Sequence, residues 1–251
     1  MTIRTLALVL TATLSSLYAS EAAPFNWTGA LAPGKTITIQ GISGTIHAER
    51  GTSGSVEVVA RRSAVRSDPN EVQIQVVQTG DGVKICAVYP NGNDCSGNHG
   101  SGSNHSDVQV YFNVKVPAGV NFEGHNVNGD VEIADVQGEA KAHTVNGNVH
   151  IAATDGVEAH TVNGNIVASV TNAARKNMGF HTVNGSIDLT LSSAASAQVK
   201  AQTVNGSMNT DFPITIHGEF GNRSLSGVIG SGGPEIQMHT VNGSIRLHRG
   251  A

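Results

Sequence analysis

The chain reads as an all-β protein: a β-solenoid of short repeated rungs with an N-terminal β-rich capping region. Three observations predict this class. A His-Thr-Val-Asn-Gly motif recurs through the C-terminal half. The residues around each copy alternate between apolar and polar, as a half-buried strand requires. The composition is rich in turn-forming glycine, with 30 Gly among 251 residues, and poor in aromatic residues, at 4%.

The first segment, residues 1–22, has the form of a signal peptide. Arg4 provides a positive start, an apolar run from Leu6 to Leu17 follows, and small residues around Ala22 suit cleavage. The run is too short to span a bilayer comfortably, and no later segment is apolar for long enough, so no transmembrane segment is expected in the mature chain. Export to the periplasm, the cell surface or the medium is therefore expected. Cys86 and Cys95 are the only cysteines. In an exported chain an even pair is expected to form a disulfide. Their loop also holds His99 and His105, which leaves a Cys/His metal site as the alternative.

Residues 23–118 form the N-terminal β-region. Ile37 to Ile46 already fits the columns of the later repeats and is read as a first rung. Strands are expected at 55–60, 72–77, 83–88 and 108–116, with Gly80-Asp81-Gly82 as a turn. These strands would cover the first rung, because a bare solenoid edge invites aggregation.

Residues 119–251 hold about seven repeats. The motif Asn stands at 128, 146, 163, 184, 205, 226 and 242, the copy at 226 being a degenerate Arg-Ser-Leu-Ser-Gly. Five residues before the motif Val (or the Leu of the degenerate copy) come Phe122, Ala140, Val157, Met178, Val199, Phe220 and Ile236, all apolar. The following column is polar or Gly, so the His column faces outward and the Thr column inward. Four residues beyond the Val, a second apolar column begins with Val131, Val149, Ile166 and Ile187. Each copy is thus strand, bend, strand, with the corner expected between Thr and Val. Asn-Gly pairs also close two-residue hairpins, which would give a meander or barrel. Identical residues at one place in every copy favour in-register stacking instead. At about 4.8 Å per rung, seven rungs would make a rod of about 30 Å.

The Val-Asn-Gly repeats, preceded by Val116-Pro117-Ala118-Gly119-Val120, resemble the bacterial putative-adhesin family of β-strand repeat proteins, over roughly residues 35–250. The resemblance implies an exported or envelope-associated module exposed at a surface.

Structural turns are assigned to Asn128-Gly129, Asn146-Gly147, Asn163-Gly164, Asn184-Gly185, Asn205-Gly206 and Asn242-Gly243. Gly accepts positive φ freely and Asn tolerates it, and stacked Asn side chains can hydrogen-bond along the column. The chemically promising feature is the outward column His125, His143, His160 and His181. Neighbouring imidazoles could share a transition-metal ion, although no carboxylate column is apparent beside them to complete a site. Protonation would place like charges side by side, so acid should weaken the stack. Glu123, Lys141 and Glu158 are expected to pair across rungs.

A net charge of −4 with 14% charged residues argues against nucleic-acid binding. The outward column after the turn, running through Glu132, His150, Val167, Asp188, Asn209, Gly230 and Arg246, scatters its charges and forms no acidic pair for glycoside chemistry. No catalytic motif or resident cofactor is expected. The chain is read as a non-enzymatic adhesin-like structural or interaction module of the envelope. Its partner would be a surface protein, a glycan or a second copy. The alternative is a periplasmic transition-metal-binding protein that uses the His ladder.

Overall fold

The computed structural model describes residues 19–90, 95, 106–154, 156–170, 176–216 and 223–250. The N-terminal strands are β1 (Ser20–Glu21), β2 (Phe25–Gly29), β3 (Thr36–Gln40), β4 (Ile46–Arg50), β5 (Val56–Ala64), β6 (Gln73–Thr79), β7 (Gly82–Val88) and β8 (Gln109–Val116). Two-strand rungs follow: β9 (Asn121–His125) with β10 (Val131–Val136), β11 (Ala140–His143) with β12 (Val149–Ala153), and β13 (Val157–Asn163) with β14 (Ile166–Val170). Next come β15 (Met178–Asn184) with β16 (Ile187–Leu191), and β17 (Ala197–Asn205) with β18 (Met208–Thr210). The remaining strands are β19 (Thr215–Ile216), β20 (Ser224–Ile229), β21 (Glu235–Asn242) and β22 (Ile245–Arg249).

The first strand of every rung lies in one sheet and the second strand in the other, so each rung turns a corner between them. One sheet runs β6-β7-β3-β9-β11-β13-β15-β21-β17-β20-β19. The other runs β1-β5-β8-β4-β10-β12-β14-β16-β22-β18, with β2 also on β5. The rungs pair parallel and in register: Val131, Val149, Ile166, Ile187 and Ile245 follow one another as direct partners. All five are buried, and their side chains meet those of the opposite sheet in one continuous core. Each such burial stabilises by about 1.5–3 kcal/mol before entropy is counted.

The hidden first rung is present. β3 pairs with β9 and β4 with β10, both parallel, and Ser43 bridges to Asn128. The capping strands extend both sheets beyond it: antiparallel β6 ends one, and β1 and β2 lie on the outer edge of antiparallel β5 in the other. Ser20–Glu21, within the stretch read as leader, pairs with Ser63 and Ala64; residues 1–18 of that stretch lie outside the described residues.

At the far end the order departs from expectation. β21 lies between β15 and β17, and β22 lies between β16 and β18, so the later-made rung is inserted between two earlier ones. The degenerate copy at Asn-equivalent position 226 is not a parallel rung. It sits in β20, which runs antiparallel to β17 and closes that sheet with β19. Without a Val-Asn-Gly corner it cannot turn into the second sheet in register, so it serves as an end strand.

The corner also differs from expectation. Thr144, Thr161, Thr182, Thr203 and Thr240 are buried, while Val127, Val145, Val162, Val183 and Val204 are 38–44% exposed. Alternation therefore continues through Thr and Val, and parity breaks later, within Val-Asn-Gly. The glycines are required there for a reason other than φ. Among the corner glycines only Gly44 and Gly129 are left-handed, at φ 115° and 143°, and the motif Asn residues are not. What excludes a side chain is the rung beneath: a Cβ on Gly147 would stand 2.2 Å from the Gly129 carbonyl oxygen, and one on Gly185 1.8 Å from that of Gly164.

Candidate functional site

Three ladders run side by side along the corner between the sheets. Innermost are the threonines, whose hydroxyls donate to the motif Gly carbonyl of the adjoining rung at 2.8–2.9 Å. In the first full copy Asn126 replaces Thr and donates to the Gly44 carbonyl at 2.7 Å. This satisfies a buried polar column that would otherwise cost stability.

The outer ladder is asparagine. Asn146 donates to Asn128, Asn163 to Asn146, Asn184 to Asn163, Asn242 to Asn184 and Asn205 to Asn242, at 2.7–2.9 Å throughout. The expected side-chain ladder is thus present, and it passes through the inserted rung without a break. Between the Thr and Asn columns the valines project outward, forming a ridge with partly exposed Ile42 and Val241 in the same column.

Two residues before each Val stands the His column. The rings of His125, His143 and His160 stack at 4.8 and 4.9 Å with planes 10° apart, and His160 stacks on His181 at 4.8 Å and 17°. His239 follows at 6.2 Å, tilted by 41°. Gln40 and Gln202 continue the column at its two ends. Where the rings part, a shallow groove of about 460 Å³ opens, lined by His181, Lys200, Gln202, Ser224, Gln237 and His239.

Carboxylates do lie beside this column, contrary to the sequence reading. Glu123 Oε1 is 2.8 Å from His125 Nε2, and Glu158 Oε1 is 3.1 Å from His160 Nε2. The signal was available: Glu-x-His at 123–125 and 158–160 places both side chains on one strand face. Of the expected cross-rung charge pairs, Lys141–Glu158 forms at 3.3 Å, whereas Glu123 pairs with its own strand's His125. The hydrogen bond from His125 holds the Glu123 carboxyl below its usual range. Burial would raise Glu158, but Lys141 and the nearby imidazoles outweigh it and leave it lowered. Burial, reinforced by repulsion from flanking imidazoles, lowers His143 and His181, so both are neutral near pH 7.

On the other sheet the outward column is less scattered than its sequence order suggests. Glu132 lies 3.2 Å from His47, a residue of the first rung that sequence reasoning did not single out, and pairs across the ladder with His150. Insertion of β22 brings Arg246 to 3.1 Å from Asp188. Cys86 and Cys95 form the expected disulfide. Cys86 occupies the His-column position on β7, next to Gln40. His99 and His105 lie outside the described residues.

A family model described as Toastrack DUF4097 matches residues 35–248. The fold is similar to that of a putative cell adhesion protein from Clostridium sporogenes, at 12% identity and TM-score 0.50, covering 91% of this chain and all of that one. A putative adhesin from Bacteroides fragilis aligns at 12% identity and TM-score 0.36, over 90% of this chain and 97% of that one. No curated protein matches the chain.

Proposed function

Because the chain belongs to the Toastrack DUF4097 family, we propose that it is an exported, non-enzymatic adhesin-like module whose working surface is the His–Val–Asn corner. The observation that carries this reading is the valine ridge. Val127, Val145, Val162 and Val183, at 38–40% exposure, stand in register on successive rungs, and partly exposed Val241 of the inserted rung carries the ridge on to Val204 at 44%, with imidazoles on one side and amides on the other. A contiguous exposed apolar stripe costs solubility and marks an interaction surface far more often than scattered exposed residues do. The ridge carries no charged side chain, so it suits an extended, weakly charged partner such as a surface glycan or an envelope protein. The likeness to the Clostridium sporogenes cell adhesion protein and the disulfide both favour work outside the cytoplasm. No helix among the described residues is long and apolar enough to cross a membrane.

The test is retention of the purified, fluorescently labelled protein on intact bacterial envelopes. Replacing Val145, Val162 and Val183 together by Lys adds charge where the side chains already meet water, so the fold should survive. Retention is expected to fall by about tenfold, the loss of roughly 1.4 kcal/mol of binding. Equal retention by the folded variant would remove the corner from the reading.

A further inference from the structure

The steps of the His column are not chemically equivalent. Parallel imidazoles aim their nitrogen lone pairs side by side, so two stacked rings alone do not converge on one ion. A third donor must approach from the flank while one ring swings about its broad χ2 minimum. Glu123 provides such a donor at the first step. One ligand atom from each of Glu123, His125 and His143 lies within 4.8 Å of the others, and all three residues are half-buried. The corresponding carboxylate at the next step, Glu158, is held by the Lys141 ammonium. Beyond it Gly179 occupies the carboxylate column beside His181, and the last pair of rings is 6.2 Å apart.

We propose that Glu123, His125 and His143 form a binding site for a divalent transition-metal ion of the zinc or copper class, bridging two neighbouring rungs. Two imidazoles and a carboxylate match the borderline donors these ions prefer, and the outward side leaves a position for water. Zinc bonds of about 2.0–2.1 Å require the donor atoms to close to roughly 3.3 Å from one another. Only side-chain ends that already meet solvent need to move, because the strand register at this step is fixed by β9–β11 pairing. The bound ion would staple the first motif rung to the second. This inference does not depend on the corner acting as an adhesive surface.

The test is titration of the full chain with zinc, copper and nickel salts by calorimetry near neutral pH, alongside E123Q, H143Q, E158Q and H181Q. One site of micromolar or tighter affinity is expected, weakened about tenfold or more by E123Q and H143Q and unchanged by E158Q and H181Q. A metal-dependent rise in melting temperature should be lost in E123Q while its metal-free melting temperature stays near that of the parent. Three outcomes would overturn the assignment: no binding, binding indifferent to E123Q, or equal loss in H181Q, which would indicate non-specific capture along the ladder.

Discussion

From β9 to β16 each rung rests on the rung made just before it, whereas beyond Leu191 a later rung enters between two earlier ones. The two regions use the same contacts. Asn184 accepts from Asn242 at 2.7 Å much as Asn163 accepts from Asn184 at 2.8 Å, and Thr240 reaches the Gly185 carbonyl as Thr182 reaches that of Gly164. The columns therefore govern how one rung sits on another, but not which rung sits on which. What distinguishes the inserted arrangement lies outside the repeated positions: the Asp188–Arg246 contact, the Gly-rich segment before β21, and the antiparallel strand that ends the sheet.

The contrast can be broken most forcefully at the glycines. A Cβ on Gly164 would stand 1.9 Å from the Gly147 carbonyl, in a rung held on both sides, so G164A should cost about 3 kcal/mol or more and destabilise the central stack. G243A makes the same 1.9 Å clash with Gly185 in the inserted rung. It should expel that rung and strip hydrogen-exchange protection from residues 197–249 while leaving 121–191 protected. Uniform loss of protection would show that the two regions melt as one unit.

A smaller effect is expected from the amide ladder. N163A and N184A each leave two neighbouring amides short of a partner, one within the ordered region and one at the insertion. Because the ladder is exposed to water, each should cost about 1 kcal/mol in denaturant unfolding. A much larger cost at Asn184 would mean that its ladder holds the inserted rung in place.

Acid should distinguish the regions more gently. His143 and His181 have folded pKa values below the ordinary 6.5, so the unfolded chain takes up protons first as the pH falls. Their contribution to stability is present above about pH 6.5 and is lost as pH falls through that value towards the folded pKa. Metal-free protein should melt at a lower temperature at about pH 5.5 than at about pH 7.5. H143Q, between two parallel rings, should flatten that dependence more than H181Q, which has one close neighbour. An unchanged slope in the double variant would place the acid sensitivity elsewhere. The smallest change is expected from R246Q, which removes a partly exposed ion pair and should cost only about 0.5 kcal/mol.

Much of this was readable from residues alone. Period-two alternation identified the inward columns, and the Ile37–Ile46 segment was recognisable as a rung because Gln40, Ile42 and Gly44 fall on the same positions as His125, Val127 and Gly129. The His and Asn ladders followed from the same alignment. Rung order was not readable, since positions 184, 205 and 242 carry the same Thr-Val-Asn-Gly and accept one another equally. The role of glycine was misassigned for a related reason: close approach between rungs is a property of stacking, whereas φ is the property a single turn suggests. Glu123 beside His125 was within reach through i, i+2 spacing, but His47 beside Glu132 joins residues 85 apart and depends on which rung is first.

Rung order also imposes a timetable on synthesis. A ribosome releases Ala197–Asn205 before Glu235–Asn242, so the strand that finally separates β15 from β17 is made after both. In that interval their columns match each other as well as either matches the strand to come. The growing chain can close its stack a rung early and must reopen it to admit the later arrival. Gly230, Gly232 and Gly233, with φ of 58°, 80° and 151°, give the segment before β21 the freedom to double back. A slow refolding phase, absent when the chain is cut after Leu191, is the outcome expected from where one strand lies in the finished rod.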